Sequence, residues 1–128
     1  MVEPTINPAL IERAITTKTK AIIPGHLTGE VADMEPIMDI ATRHRLAVVE
    51  DACQAIRATY RDRPAGTMGI LGAFSLHPLK NLNVWGDAGV IVTDDPALNT
   101  RIRLLRNHGL KNRDEVEILG YNSRLDSI

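Results

Sequence analysis

The chain has 128 residues, 44% of them hydrophobic and 24% charged, the make-up of one ordinary soluble globular domain long enough to bury a sizeable core. Fifteen basic residues against sixteen acidic ones give a net charge of -1, so no global field favours nucleic acid or an anionic membrane as partner. The single cysteine, Cys53, excludes an internal disulfide and fits a reducing compartment; with no signal peptide in view and no apolar run near the roughly 20 residues of a membrane span, the expected location is the cytoplasm.

Asn7 followed by Pro8 reads as the N-cap and first residue of a short helix, with Ile11, Ala14 and Ile15 on one face up to about Thr16. "KAIIPGH" at 20–26 is a compact apolar run stopped by Pro24 and Gly25, too short for a helix and read as a buried strand. Asp33 is placed to cap a second helix, in which Met34, Ile37, Met38 and Ala41 recur at helical spacing as far as Arg45, with Pro36 tolerated in the first turn. "LAVVED" at 46–51 is apolar and β-branched, then abruptly acidic, as a buried parallel strand is where it ends at a functional rim. "ILGAFSL" and "GVIVT" supply two more strands, and Asp95 with Pro96 opens a helix whose Leu98, Ile102 and Leu105 are expected to face the core until Gly109. The order is that of an α/β protein with a mainly parallel sheet and flanking helices. Nothing marks an internal boundary or repeat, and "GYNSRLDSI" reads as a loop entering a helix, so residues 1–128 are expected to form a single, incomplete part of a larger domain.

The charges inside apolar surroundings carry the functional question. Side chains alternate along a strand, so only one of Glu50 and Asp51 points into a crevice above the sheet, and a carboxylate there needs a cationic partner. The plainer reading of Asp51 is a strand-end cap for the turn in "DACQA". Lys80 sits in the uncharged run "AFSLHPLKNLNVWGDAGVIVT"; desolvation of such a lysine favours the neutral, nucleophilic amine that forms Schiff bases with aldehydes, while the plainer reading is a surface lysine reaching into water. Ser75 and His77 lie just before it, so a hydroxyl, an imidazole and an amine come from one tight connection and suit an anionic, aldehyde-bearing cofactor. The histidines at 26, 44, 77 and 108 and the one cysteine show no metal-ligand spacing, and "GTMGILG" lacks the glycine order of a dinucleotide site.

The stretches "TKAIIPGHLTGEVADMEPIMDIA", "VVEDACQA", "AGTMG", "FSLHPLKNLNVWGDAGVIVT", "RIRLLRNHG" and "GYNSRLD" resemble the DegT/DnrJ/EryC1/StrS family of sugar aminotransferases over nearly the whole chain. The resemblance implies the large domain of the aspartate-aminotransferase-type fold and pyridoxal 5'-phosphate as cofactor. It also implies transfer of an amino group, usually from glutamate, to a keto sugar carried on a nucleotide. Lys80 matches the family lysine that holds the cofactor and shuttles protons. Asp51 matches the carboxylate paired with the pyridine nitrogen, where a negative charge keeps the ring protonated and electron-withdrawing. Gln54 matches the residue beside the ring and its oxygen, and Ser75 the hydroxyl that binds the phosphate. Asn122 in "GYN" matches an asparagine reaching the neighbouring subunit's cofactor, which implies a homodimer with shared sites. His26 and His77 are candidate substrate contacts, although a packed loop histidine fits the place of His77 equally; Trp85 and His108 are expected to be packing or loop residues.

Some positions depart from the family pattern. Ala88 stands in "GDAG" where glycine is common, which would strain the chain if the position needs a positive φ, and "QAIRA" replaces the more usual "QAHGA". Family members are roughly three times as long, with an upstream phosphate cradle at a helix N-terminus and a downstream small domain. Two readings follow: the central segment of a nucleotide-sugar aminotransferase, or a truncated remnant that folds or associates without turnover. Relatives that act as dehydratases carry histidine in place of the lysine, and Lys80 speaks against that reaction.

Overall fold

A computed structural model of the chain describes residues 4–126. Helix α1 spans Pro8–Ala14, with the Asn7 side chain accepting the Ala9 N–H and Pro8 in the first turn, where a missing N–H costs nothing. Strand β1 is only Ala21–Ile22, because Pro24 cannot continue the ladder; the run rejoins the sheet at an isolated bridge between Gly25 and Asp51. Helix α2, Met34–His44, closes on Arg45 in the left-handed conformation. Its expected cap is corrected by the structure: the Asp33 side chain makes no capping hydrogen bond and instead accepts from the Tyr60 hydroxyl.

Strand β2, Ala47–Asp51, lies beside β1 in parallel, giving the expected βαβ unit. A small antiparallel hairpin follows, β3 at Thr59–Tyr60 and β4 at Arg63–Pro64. Then β5, Leu71–Ser75, pairs with β2 in parallel, and β6, Gly89–Val92, pairs with β5 antiparallel. The four-stranded sheet has the order β1-β2-β5-β6, mainly parallel with one antiparallel edge. Because β1, β2 and β5 run the same way, Gly25, Asp51 and Ser75 finish at one rim, and the loop from Ser75 to Gly89 spans the same rim.

The main core lies between α1, α2 and the β1–β2 half of the sheet: Ile11, Met34, Ile37, Ile40 and Ala41 pack against Ile22, Val48 and Met68. A smaller cluster of Ala52, Ala55 and Ala65 lies under Phe74. Glycine is required where the turn at 66–69 meets β5: a Cβ on Gly72 would lie 2.1 Å from the Gly66 carbonyl oxygen, and Gly66 itself has φ +82°. The sequence expectation for the third helix is met in place but not in packing. Helix α3, Pro96–Leu105, is capped by Asp95, which accepts the N–H groups of Ala97 and Leu98, but none of its residues is buried. Val90 and Ile91, on opposite faces of β6, are both exposed. The expected helical entry near the C-terminal end is absent from the described residues: Asn122 forms an antiparallel bridge with Asn107, and Ser127 and Ile128 lie outside them. No helix among the described residues is long and apolar enough to cross a membrane.

Candidate cofactor site at the strand carboxyl ends

The end of β2 divides its two carboxylates as strand alternation requires. Glu50 turns inward and is fully buried; Asp51 turns to the rim and is exposed. Buried charge demands partners, and Glu50 has four. Oε1 accepts the N–H groups of Met68 and Gly69 at 2.5 and 2.6 Å, and Oε2 accepts from Gly66 N–H at 2.7 Å and His26 Nε2 at 3.0 Å. Burial alone would raise the pKa of this carboxyl, but the hydrogen bonds from His26 and the three amides outweigh it and hold the group below the usual carboxylate range.

The backbone around Asp51 is gripped as firmly. Its N–H donates to the Pro24 carbonyl and its carbonyl accepts from the His26 N–H, both at 2.9 Å. Its Oδ1 accepts the Cys53 N–H at 3.1 Å, the plainer capping role, and the group still faces a recess of about 130 Å³ shared with Gly25, His26, Leu27, Cys53, Gln54 and Lys80. Capping and cofactor pairing are therefore compatible. Next to this recess lies a cleft of about 470 Å³, whose walls include Thr28, Gln54, Phe74, Ser75, His77 and Lys80. Cys53, Gln54 and Lys80 border both.

The loop after β5 explains how Lys80 returns over the sheet rim. Ser75 Oγ accepts the His77 N–H at 3.3 Å, the Lys80 N–H donates to the His77 carbonyl at 2.8 Å, and the Lys80 carbonyl accepts from Asn83 Nδ2 at 2.9 Å. Lys80 is half-buried, and among the described residues its ammonium makes no ion pair. Gln54, one turn past Asp51, is held by its Oε1, which accepts the Thr28 N–H at 2.9 Å. Cys53, between them, has its thiol pushed up by burial, then by a hydrogen bond and the negative charge of Asp51, with the Lys80 charge acting the other way.

Lys80, Asp51, Gln54 and Ser75 thus converge, and other expected site residues do not. His26 borders the smaller recess, but its side chain is fully buried, with Nε2 on Glu50 and Nδ1 accepting the Ala32 N–H at 3.2 Å, so both ring nitrogens are already engaged. His77 is exposed at the cleft, but its Nδ1 is taken by the Leu79 N–H at 3.2 Å, a turn-closing contact. Asn122 borders neither cleft, and its Oδ1 accepts from Arg124 Nε at 3.2 Å. Ala88 takes no positive φ, so it is not strained; in that loop the positive φ belongs to Gly86. Trp85 does not pack, being 81% exposed on its loop. Thr28 is the residue that sequence reading missed, and its only signal was its place beside Gly29, in a turn where it takes φ +54°. A larger groove, about 720 Å³, runs beside α1 and α2, but it offers Glu12, Glu30, Asp33 and Asp39 with Arg43, and no lysine lines it.

The model of the DegT/DnrJ/EryC1/StrS aminotransferase family matches residues 2–128. The chain belongs to that family. It is 48% identical over 125 residues to the dTDP-3-amino-3,4,6-trideoxy-alpha-D-glucose transaminase of Streptomyces venezuelae, covering 98% of this chain and 33% of that protein. The crystal structure of S. venezuelae DesV in complex with a ketimine intermediate superposes with a TM-score of 0.91 at 49% identity, over 95% of this chain and 33% of that one. The structure of NtdA from Bacillus subtilis with bound cofactor PMP gives 0.82 at 40% identity, over 94% and 28%. The chain therefore has the fold type I architecture of PLP-dependent aminotransferases and spans about a third of the length of the curated relatives it matches. The donor set of the two clefts fits the family's cofactor: a carboxylate for a protonated pyridine nitrogen, an amine for an aldehyde, a hydroxyl for a phosphate and an amide for a ring oxygen.

Proposed function

We propose that this DegT-family chain is the portion of a nucleotide-sugar aminotransferase that anchors pyridoxal 5'-phosphate, in an enzyme moving an amino group from glutamate to a keto sugar. The observation that carries the reading is the convergence of Lys80, Asp51, Gln54 and Ser75 on two adjoining recesses at the carboxyl ends of parallel strands. The similarity to a dTDP-amino-sugar transaminase supports the substrate class.

When bound, the cofactor supplies an electron sink for the carbon that loses its proton. The chain supplies the rest. Asp51 would hold a proton on the ring nitrogen by opposite charge, and its main chain is clamped by Pro24 and His26, so the carboxylate keeps its place. Lys80 Nζ would hold the cofactor through its aldehyde and would serve as the base that carries protons. Ser75 Oγ accepts the His77 N–H and would donate its own proton to the phosphate, and Gln54, with its oxygen on the Thr28 N–H, would present its NH₂ group to an acceptor in the cleft.

Asn122 lies outside both clefts, which suits the reading that it serves the neighbouring subunit of a homodimer. The chain is taken as one incomplete large domain working in the cytoplasm, where a lone thiol such as Cys53 stays reduced. The test is an absorption titration of the purified chain with pyridoxal phosphate, beside Lys80→Ala and Asp51→Asn. A long-wavelength band that Lys80→Ala abolishes and Asp51→Asn alters supports the reading. Equal spectra in all three proteins would favour the other reading, a remnant without a working site.

A further inference from the structure

We infer that His26 is a positioning residue, its imidazole acting as a two-ended strut between Glu50 and the 27–32 loop that fixes the side-chain amide of Gln54 at the cleft. Naming the cleft as a cofactor site rests on the proposed function; the strut rests on geometry alone.

The first end of the strut is Glu50. His26 Nε2 lies 3.0 Å from Glu50 Oε2, and the same carboxylate is fixed by three N–H groups of the 66–69 turn. This end is anchored in the buried interior. The second end is Nδ1, 3.2 Å from the Ala32 nitrogen, which carries an N–H and can only donate. Nδ1 therefore bears the lone pair and Nε2 bears the proton that Glu50 accepts. The opposite tautomer would set two donors face to face at Ala32. Both ring nitrogens are used, and the side chain is fully buried.

The loop between the two ends is under strain. Thr28 has φ +54° and ψ +19°, a left-handed conformation that a β-branched residue avoids, and such a conformation persists only when surrounding contacts hold it. Three contacts do so: the His26 N–H on the Asp51 carbonyl, the Ala32 N–H on His26 Nδ1, and the Thr28 N–H on Gln54 Oε1. The last of these decides the amide's orientation. With its oxygen taken by Thr28, Gln54 offers the cleft a donor, which suits an oxygen on the bound ligand and not another N–H. Glu50, His26, Ala32, Thr28 and Gln54 thus form one connected path from the core to the rim beside Asp51.

The test uses the isotope-labelled chain. A long-range proton–nitrogen spectrum of the wild type should show His26 protonated on Nε2 and bare on Nδ1 at neutral pH; a proton on Nδ1 overturns the strut, whether or not any variant folds. His26→Gln keeps a donor near the Nε2 position and removes the Nδ1 acceptor. It should speed amide exchange at Thr28 and Ala32 by about tenfold or more and free the Gln54 NH₂, with Gly66 and Met68 within about threefold of wild type. His26→Asn puts an acceptor back near Nδ1 and should restore protection at Thr28 and Ala32. Unchanged exchange at Thr28 in His26→Gln, or a uniform rise across all amides, would overturn the inference. Pyridoxal phosphate titrations separate the two claims. Equal affinity in wild type and in a His26→Gln protein with a loosened loop would overturn the positioning role, whereas no binding in a wild type whose strut is intact would overturn the cofactor reading.

Discussion

Replacing Glu50 by glutamine keeps the side chain's shape and removes its charge, which isolates what the buried carboxylate does. The carboxylate accepts four N–H donors, two on each oxygen. Glutamine retains one oxygen and turns the other into a donor, so in either orientation two of the four lose their acceptor and meet an N–H group. Buried groups left unpaired cost about 1–3 kcal/mol each, and breaking a buried charged contact costs about 3–5 kcal/mol, so the expected loss is about 3–5 kcal/mol. That is a large part of the roughly 5–15 kcal/mol that stabilises an ordinary domain. Urea unfolding followed by far-ultraviolet circular dichroism is the suitable assay, because Trp85 is 81% exposed and a poor fluorescent reporter. The midpoint should fall by about 1–5 M. The pH dependence carries its own sign. Glu50 has a folded-state pKa below its ordinary 4.5, so its stabilisation is complete above that value and is lost as pH falls through the folded pKa. The gap between wild type and Glu50→Gln should therefore be widest near neutrality and close on acidification below about 4.5. A loss under about 1 kcal/mol, or a gap that ignores pH, would refute the reasoning.

Gly72→Ala should destabilise severely, since the new Cβ would meet backbone only 2.1 Å away in the turn that feeds Glu50; near-native urea stability would show that the turn yields freely. Asp95→Ala removes the acceptor for two N–H groups at the start of α3 and should cost about 1 kcal/mol, whereas Asp33→Ala should not act through a cap, because Asp33 makes no capping bond. Paired thermal melts would settle the comparison. The Cys53 thiol is pushed up by burial and by Asp51, so its alkylation at mildly alkaline pH should run slower than that of a free thiol and speed up in Asp51→Asn. Faster reaction in the wild type than in that variant would contradict the assignment of causes.

Where local chemistry decides, the sequence was readable. Asn7 and Asp95, each followed by proline, do cap helices, and the βαβ order from residue 20 to 51 follows from the change of apolar period. Alternation at Glu50 and Asp51 correctly required one inward and one outward carboxylate. What stayed hidden depends on contacts between distant segments. Nothing in "GVIVT" distinguishes an antiparallel from a parallel partner, and the helical spacing of Leu98, Ile102 and Leu105 describes a face without saying what covers it. Asp33 lost its capping role to a tyrosine 27 positions away. The surroundings of His26 are of the same kind. A histidine after a strand near glycines looks like a ligand contact, and only the partners on both nitrogens show that its ring is enclosed.

Covalent trapping of the cofactor shows directly whether Lys80 is its anchor. The chain is incubated with pyridoxal phosphate, reduced with borohydride, digested and mapped by mass spectrometry. The account predicts the label on Lys80, with Lys18, Lys20 and Lys111 left unmodified at equal reagent, because only Lys80 stands over a recess that also offers Asp51 and Gln54. Label spread evenly over the four lysines, or absent from Lys80, would contradict it.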